Sequence, residues 1–338
     1  MKLLKLYKKA GIIVFLLLEL ILFSAITPNF LSGSNFINLL RQIAMLGIAS
    51  IGISFLMIGG ASADLSIAGQ IPVLSMLCGI FMMWMNLPVP VAMLLTIAAG
   101  ILLGYFNGMV IRILKINPFV VTLSTMTILQ GVALLFTGGV SISGLPRSFS
   151  WLGQGYLFGI PAPIIVLVVC VAGAQFVLSK TYFGRAIYAM GGNAEAARLA
   201  GINIRRLQLC TFMLSGFFAA VAALMISSRT MIASPTAGNT YAFDTMTACV
   251  LGGISLTGGV GSVLGAAIGA VIMSSIGRLL VFIGLPSTYN NTITGTMLIV
   301  IVVIDALAQR RSIEMTRRKR LLSRTADQEG GGCLLYTS

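Results

Sequence analysis

Covalent chemistry has little to work with in this chain. Of its 338 residues eight are Asp or Glu, none is His, and five are Cys. Without His the commonest metal ligand and general base are missing, and no nucleophile stands in an arrangement with a base. No Gly-x-x-x-x-Gly-Lys-Ser/Thr run offers a cradle for nucleotide phosphates, and Leu31-Ser32-Gly33-Ser34 reads as a loop. The sequence therefore assigns no catalytic residue, no metal ligand and no bound cofactor to this chain. What remains is ionisable groups set in apolar sequence: Glu19 within a run, Asp305 near the end of one, Asp64 and Asp244 just ahead of others. An acid at membrane depth is a candidate for proton or sodium coupling. Ahead of a helix, the same group caps the N-terminus and meets the helix dipole. Arg41 and Arg278 also lie in or near apolar runs, where they either snorkel outward or hydrogen-bond solute hydroxyls.

The elements that carry these groups must be membrane helices. Only 9% of the residues are charged and 57% are hydrophobic, more apolar surface than a water-soluble fold can cover. A span needs roughly 20 apolar residues. Ten runs qualify, near 10–27, 36–58, 66–85, 90–111, 119–137, 159–179, 207–228, 244–257, 262–283 and 288–307, the eighth of them short. The sequence is an all-α polytopic membrane protein of about ten transmembrane helices, with little room for a soluble domain. Residues 1–309 read as the membrane domain and 310–332 as a basic tail.

A net charge of +14 raises the question of nucleic acid, but the placement of the charge answers it. Lys2, Lys5, Lys8 and Lys9 precede the first run, and Arg112 and Lys115 follow the fourth. Lys180, Arg185, Arg198, Arg205 and Arg206 follow the sixth, and the cluster from Arg310 to Arg324 follows the tenth. With ten spans all of these fall on one side, leaving only Arg147 and Arg229 in loops of the other. The positive-inside rule makes that side, and both termini, cytoplasmic. Membrane lipid, not nucleic acid, is the expected partner of this charge. Gly11 to Thr27 is too long for a signal-peptide core and Pro28-Asn29-Phe30 offers no small-residue cleavage site, so the first run reads as an uncleaved anchor. Trp84, Trp151 and Tyr156 read as interfacial anchors. Cys78, Cys170, Cys210 and Cys249 fall within runs without metal-ligand spacing and read as packing residues. Cys333 to Ser338, after a Gly330-Gly331-Gly332 run, resemble one reading frame of a sequencing-adapter end. Residues 333–338 are therefore expected to be a library artefact.

Two stretches interrupt the apolar pattern with small residues. Gly252-Gly253-Ile254-Ser255-Leu256-Thr257-Gly258-Gly259-Val260-Gly261-Ser262 cannot be one smooth helix, and it continues to Gly265 and Gly269 as a small-xxx-small ladder. The eighth span is expected to break there. Gly59 to Gly69 is a fainter echo, which suggests an internal repeat with a transport route at the repeat interface. Broken helices at membrane depth are tolerated only when buried in protein or lining a cavity. Between Lys180 and Arg206, Asn193 to Ala200 predicts a short helix: Asn193 as N-cap, Glu195 in the first turn, Gly201 as its stop. Its Ala-rich face suits a groove in a partner protein, or lies solvated at the membrane surface.

Glu195-Ala196-Ala197 followed by Gly201 resembles the coupling motif of ABC importer permeases, and the wider segment resembles their sugar branch. Asp64-Leu65-Ser66-Ile67 is similar to that branch's Asp-Leu-Ser-Val signature, although Gly60-Ala61-Ser62-Ala63 lengthens the lead-in and Pro72 stands where a smooth helix is expected. Pro118 to Met126 and Leu251 to Gly259 resemble two further signatures, in the right order across residues 36–305. The resemblance implies the ABC importer permease fold and a subunit that moves a monosaccharide by alternating access without covalent chemistry. It implies Asn193, Glu195, Ala196, Ala197 and Gly201 as ATPase-coupling residues. Asp64, Ser66, Phe119, Thr122, Gly252, Gly253 and Ser255 become candidates for the substrate pathway between subunits. The implied partners are a cytoplasmic ABC ATPase that holds the ATP and Mg, a second permease copy or homologue, and a periplasmic or lipid-anchored sugar-binding protein. Nucleosides, branched-chain amino acids or furanose signal molecules are alternative solutes, and an ion-coupled secondary transporter using Glu19 or Asp305 is the alternative class.

Overall fold

Helices account for nearly all of the secondary structure. The computed structural model describes residue 23 and residues 32–60, 64–284 and 289–303. Glu19, Asp305, the predicted run 10–27 apart from Phe23, the N-terminal lysines, the basic tail and Cys333 lie outside the described residues. The chain passes through α1 (Gly33–Ile58), α2 (Ile67–Met83), α3 (Val89–Leu114) and α4 (Pro118–Leu135). A short α5 (Ser150–Gln154) precedes α6 (Ala162–Lys180), and two loop helices, α7 (Tyr182–Gly192) and α8 (Ala194–Leu199), lead to α9 (Ile204–Thr230). Then come α10 (Tyr241–Leu251), α11 (Val263–Phe282) and a last apolar helix, α12 (Tyr289–Val303). Among the described residues α1, α3, α4, α6, α9 and α11 are long and apolar enough to cross a membrane, whereas α2 and α12 are shorter. The described residues up to Gly295 make one unit, and those from Thr296 belong to a second.

Among the described residues strands are confined to two ladders of two residues: β1 (Ile142–Ser143) with β4 (Ile232–Ala233), and β2 (Tyr156–Leu157) with β3 (Ile160–Pro161). Helix ends follow local chemistry. Lys115 adopts a left-handed conformation (φ 53°) that stops α3. Two residues on, the Asn117 side chain accepts from Phe119 N at 3.0 Å, and Pro118 occupies the first turn of α4, where a missing N–H costs nothing.

Lipid is as apolar as a leucine side chain, so these helices associate through close packing and buried polar bonds. Helix α1 is central, 83% of its apolar window being buried, against 22% for α3. The outer face of α3 presents Leu94, Leu102 and Phe106. Its inner face carries Gly100, Gly104 and Gly108, one turn apart. A Cβ at Gly104 would strike the Phe212 carbonyl, and one at Gly216 the Gly100 carbonyl, so α3 and α9 meet backbone to backbone. The ladder predicted on α11 packs the same way: Gly265 sits against Gly252, and Gly269 against the Ala248 carbonyl.

Pro72 does lie inside a helix, fully buried in α2. Its ring cannot donate to the Ala68 carbonyl, the i−4 acceptor. Gln130 on α4 approaches that carbonyl instead, its Nε2 at 3.4 Å. A side chain from a neighbouring helix thus supplies the donor that the proline lacks.

Several expectations are corrected. The eighth helix covers Tyr241–Leu251 and not 244–257, because the glycines from Gly252 onward end it. Asp244 is consequently in the first turn of α10 rather than ahead of it, and Thr240 is the N-cap. Asp64 does meet the start of α2 as a cap, its Oδ1 accepting from Ser66 N, while Ser66 itself makes no side-chain cap bond. Cys78 and Cys249 are buried as packing residues, but Cys210 is exposed on α9.

Candidate functional site

The loop after α6 folds into two consecutive short helices. Thr181 caps α7 by accepting from Gly184 N at 3.2 Å. Asn193 takes an extended conformation between α7 and α8, and its Oδ1 accepts from Ala196 N at 2.9 Å. Glu195 follows in the first turn and pairs with Arg198 at 2.5 Å; both are exposed, so the pair adds little stability. Ala197 is buried while Glu195 and Ala196 face outward. Gly201 closes the unit with φ 85° and donates to the Arg198 carbonyl at 3.0 Å, a backbone angle for which glycine carries no Cβ penalty. Asn203 then caps α9 through Arg206 N. The cap and stop expected of Asn193 and Gly201 are both present, and they hold a six-residue helix proud of the loop.

Beneath α8 the backbone of three segments converges. Tyr188 Oη donates to the Gly261 carbonyl at 2.7 Å. Burial raises the Tyr188 phenol above its ordinary pKa, which keeps it a donor. Gly259 N donates to the Ile58 carbonyl at the end of α1, at 2.8 Å. A Cβ on Gly191 would strike both of those backbone groups, and one on Gly258 would meet Gly60. The two glycine-rich interruptions of the sequence therefore touch each other, and the loop helix α7 lies against both.

The pathway candidates separate into three places. Asp64 and Ser66 are almost wholly inaccessible. Asp64 Oδ1 accepts from Ser66 N at 2.9 Å and from Ser66 Oγ at 2.5 Å, and Oδ2 accepts from Ser215 Oγ at 3.0 Å. Ser66 Oγ in turn accepts from Gln70 Nε2 and Asn107 Nδ2, each at 2.8 Å, and Thr125 Oγ1 donates to Asn107 Oδ1 at 2.8 Å. One network so ties the start of α2 to α3, α4 and α9. Thr122 is buried, its hydroxyl turned to the Phe119 carbonyl at 3.3 Å, whereas Phe119 is exposed at the start of α4. Gly252 is buried against α11, Gly253 is exposed, and Ser255 Oγ lies 2.9 Å from Thr257 Oγ1 in the break itself. Asp244 makes a separate cluster, accepting from Thr240 at 2.8 Å and Thr294 at 3.0 Å. Arg41 donates to the Gln154 carbonyl at 2.8 Å and lies over the Tyr156 ring, and Arg278 donates to Asn35 at 2.6 Å.

Residues 35–302 match the family model described as the permease component of the branched-chain amino acid transport system. The chain belongs to this family. It is 33% identical to the xylose transport system permease protein XylH of Escherichia coli (strain K12), over 84% of this chain and 87% of that one. It is 37% identical to the ribose import permease protein RbsC of Bacillus subtilis (strain 168), over 88% and 92% of the two chains. Against the ribose import permease protein RbsC of Escherichia coli (strain K12) the identity is 31%, over 87% and 92%. No solved structure matches the chain. As a permease of this family it is a multi-pass membrane transport subunit, not an enzyme.

Several residues that organise this permease were not singled out from the sequence. Asn107, Gln70 and Gln130 are amides within otherwise apolar helices, a usable signal because an unpaired amide in such surroundings is costly. Ser215 and Thr125 carry no such signal, since isolated hydroxyls recur throughout the spans. Tyr188 and Gly191 lie within the coupling segment, but their partners, Gly261, Gly259 and Ile58, are distant in sequence and only folding reveals them.

Proposed function

We propose that this chain is the membrane-spanning permease subunit of an ATP-driven importer of a monosaccharide. The observation that carries the reading is the loop helix α8, capped by Asn193, stopped at Gly201 and presenting Glu195 and Ala196 outward. A six-residue helix on a capped and closely packed base is a suitable knob for the groove of a cytoplasmic ABC ATPase, which would hold the ATP and Mg. The backbone seam beneath it gives motion of the knob a direct mechanical route to the end of α1 and to the break between α10 and α11. The names of the xylose and ribose permeases that resemble it favour a pentose or a related sugar.

In this reading the permease sits in a bacterial inner membrane with both termini cytoplasmic. It pairs with a second copy or a homologue and receives solute from a periplasmic or lipid-anchored binding protein. Closure of the ATPases alternates the route between inward- and outward-open states. Asp64 and Ser66, buried within one subunit, support the route by fixing α2 against α3, α4 and α9, while Thr122 is buried and bonded within α4. Phe119 and Gly253 are exposed and available to line it.

The test is uptake of labelled D-xylose and D-ribose into proteoliposomes holding the permease, its ATPase and its binding protein. Uptake that requires ATP and survives a protonophore is expected. Uptake abolished by the protonophore with ATP present would point to ion coupling instead.

A further inference from the structure

A cavity of about 410 Å³ lies between the loop helices and the membrane helices, within the roughly 300–1,000 Å³ range of small-molecule sites. Its walls include Gly60 at the end of α1, Pro118 at the start of α4, Gln208 and Thr211 of α9, and Thr257 of the break, with Asn193 at the mouth of α8. No charged side chain lines it among the described residues, although Arg185 and Arg198 lie on the loop helices and Arg205 and Arg206 in the first turn of α9.

Its polar groups are neutral and partly unengaged. The Gln208 side-chain amide makes no hydrogen bond within the described residues, and the Asn193 amide is used only through its oxygen. Thr257 shares its hydroxyl with Ser255 at 2.9 Å. Unspent amide donors and acceptors beside hydroxyls, glycine backbone and a few apolar carbons match a molecule with many hydroxyls and no charge. A carboxylate or phosphate would find no cation to replace its hydration.

We infer that this cavity is a loop-side subsite for a neutral polyhydroxylated solute, held within one subunit and separate from the route between subunits. The inference rests on the importer reading given above. Asn193 both caps α8 and borders the cavity, so displacement of the loop helix changes the mouth of the subsite directly. The solute is held on the ATPase side after passage, and loop movement governs its release.

The test uses the full chain alone in lipid nanodiscs, with saturation-transfer NMR of D-xylose, D-ribose and D-glucose, and D-gluconate as the charged comparator. At least one neutral sugar is expected to receive saturation and gluconate none. Gln208→Leu and Thr257→Val should each weaken the sugar's apparent affinity about five-fold, the loss of one hydrogen bond, and Leu135→Ala on the exposed face of α4 should not. Absence of transfer to every neutral sugar, or variants equal to the parent with unchanged melting midpoints, overturns the subsite and leaves a water-filled space. Should Gln208→Leu fail to fold, Thr257→Val at its exposed position carries the test. ATP-dependent uptake by the complete importer is measured in parallel: uptake without nanodisc binding defeats the subsite alone, whereas loss of ATP-dependent uptake defeats the importer reading.

Discussion

The Tyr188 hydroxyl meets the Gly261 carbonyl at 2.7 Å, joining the loop helix α7 to the break between α10 and α11. The two residues lie in separate parts of the chain, and this bond with the adjoining glycine contacts holds the loop to the membrane helices. The contact is therefore one side-chain bond set beside close backbone approaches, Gly191 lying against the Ile58 carbonyl and Gly259 N. Tyr188→Phe keeps the ring and removes one bond, worth about 1 kcal/mol. ATP hydrolysis by the assembled importer should persist while sugar moved per ATP falls, measured as the ratio of uptake to phosphate release. An unchanged ratio would show that the bond plays no part in coupling.

Gly191 and Gly192 provide an internal contrast. A methyl group at Gly191 would collide with the Ile58 carbonyl and Gly259 N, whereas one at Gly192 meets nothing within 4 Å. Gly191→Ala should lose most transport with membrane insertion retained, and Gly192→Ala should transport normally. Equal uptake rates for the two variants would remove the seam from the account.

Pro72 and Gln130 should be energetically coupled. Gln130→Leu leaves the Ala68 carbonyl without its donor, a loss of about 1 kcal/mol for one hydrogen bond. In a Pro72→Ala background the helix N–H can make the bond itself, so the second substitution should cost much less. A double-mutant cycle of melting midpoints in detergent reads the difference, and additive effects would contradict it.

Asp64 anchors the network at the start of α2. Asp64→Ala leaves the hydroxyls of Ser66 and Ser215 without their acceptor, and each buried polar group so orphaned costs about 1–3 kcal/mol. Strongly reduced thermal stability is expected, and Asp64→Asn, which retains acceptor capacity on one oxygen, should lie between the two. A parent-like melting midpoint for Asp64→Ala would mean the network contributes little.

Much of this was legible in the sequence, for identifiable reasons. Apolar runs bounded by basic loops locate the membrane helices, because lipid tolerates few other arrangements. Asn193 and Gly201 announced the loop helix, because capping and left-handed stops are local chemistry. The break after Leu251 followed from its glycine density. What escaped was the meeting of distant parts: Gly60 against Gly258, Tyr188 with Gly261, Gln130 reaching the carbonyl that Pro72 leaves open. None of these pairs has a sequence period. Asp64 looked like a helix cap or a pathway group, and its burial among Ser66 and Ser215 depends on α9 arriving from 150 residues away.

Coupling of α8 to an ATPase is read from affinity purification of the tagged chain in mild detergent with quantification of its partners. A stoichiometric ABC ATPase is expected with the parent chain. A several-fold loss of that ATPase is expected from Asn193→Ala, whose missing cap costs the exposed helix about 1 kcal/mol, and from Glu195→Ala, with the permease itself still inserted and folded. A parent chain that purifies without an ATPase and transports sugar when reconstituted alone would contradict this coupling.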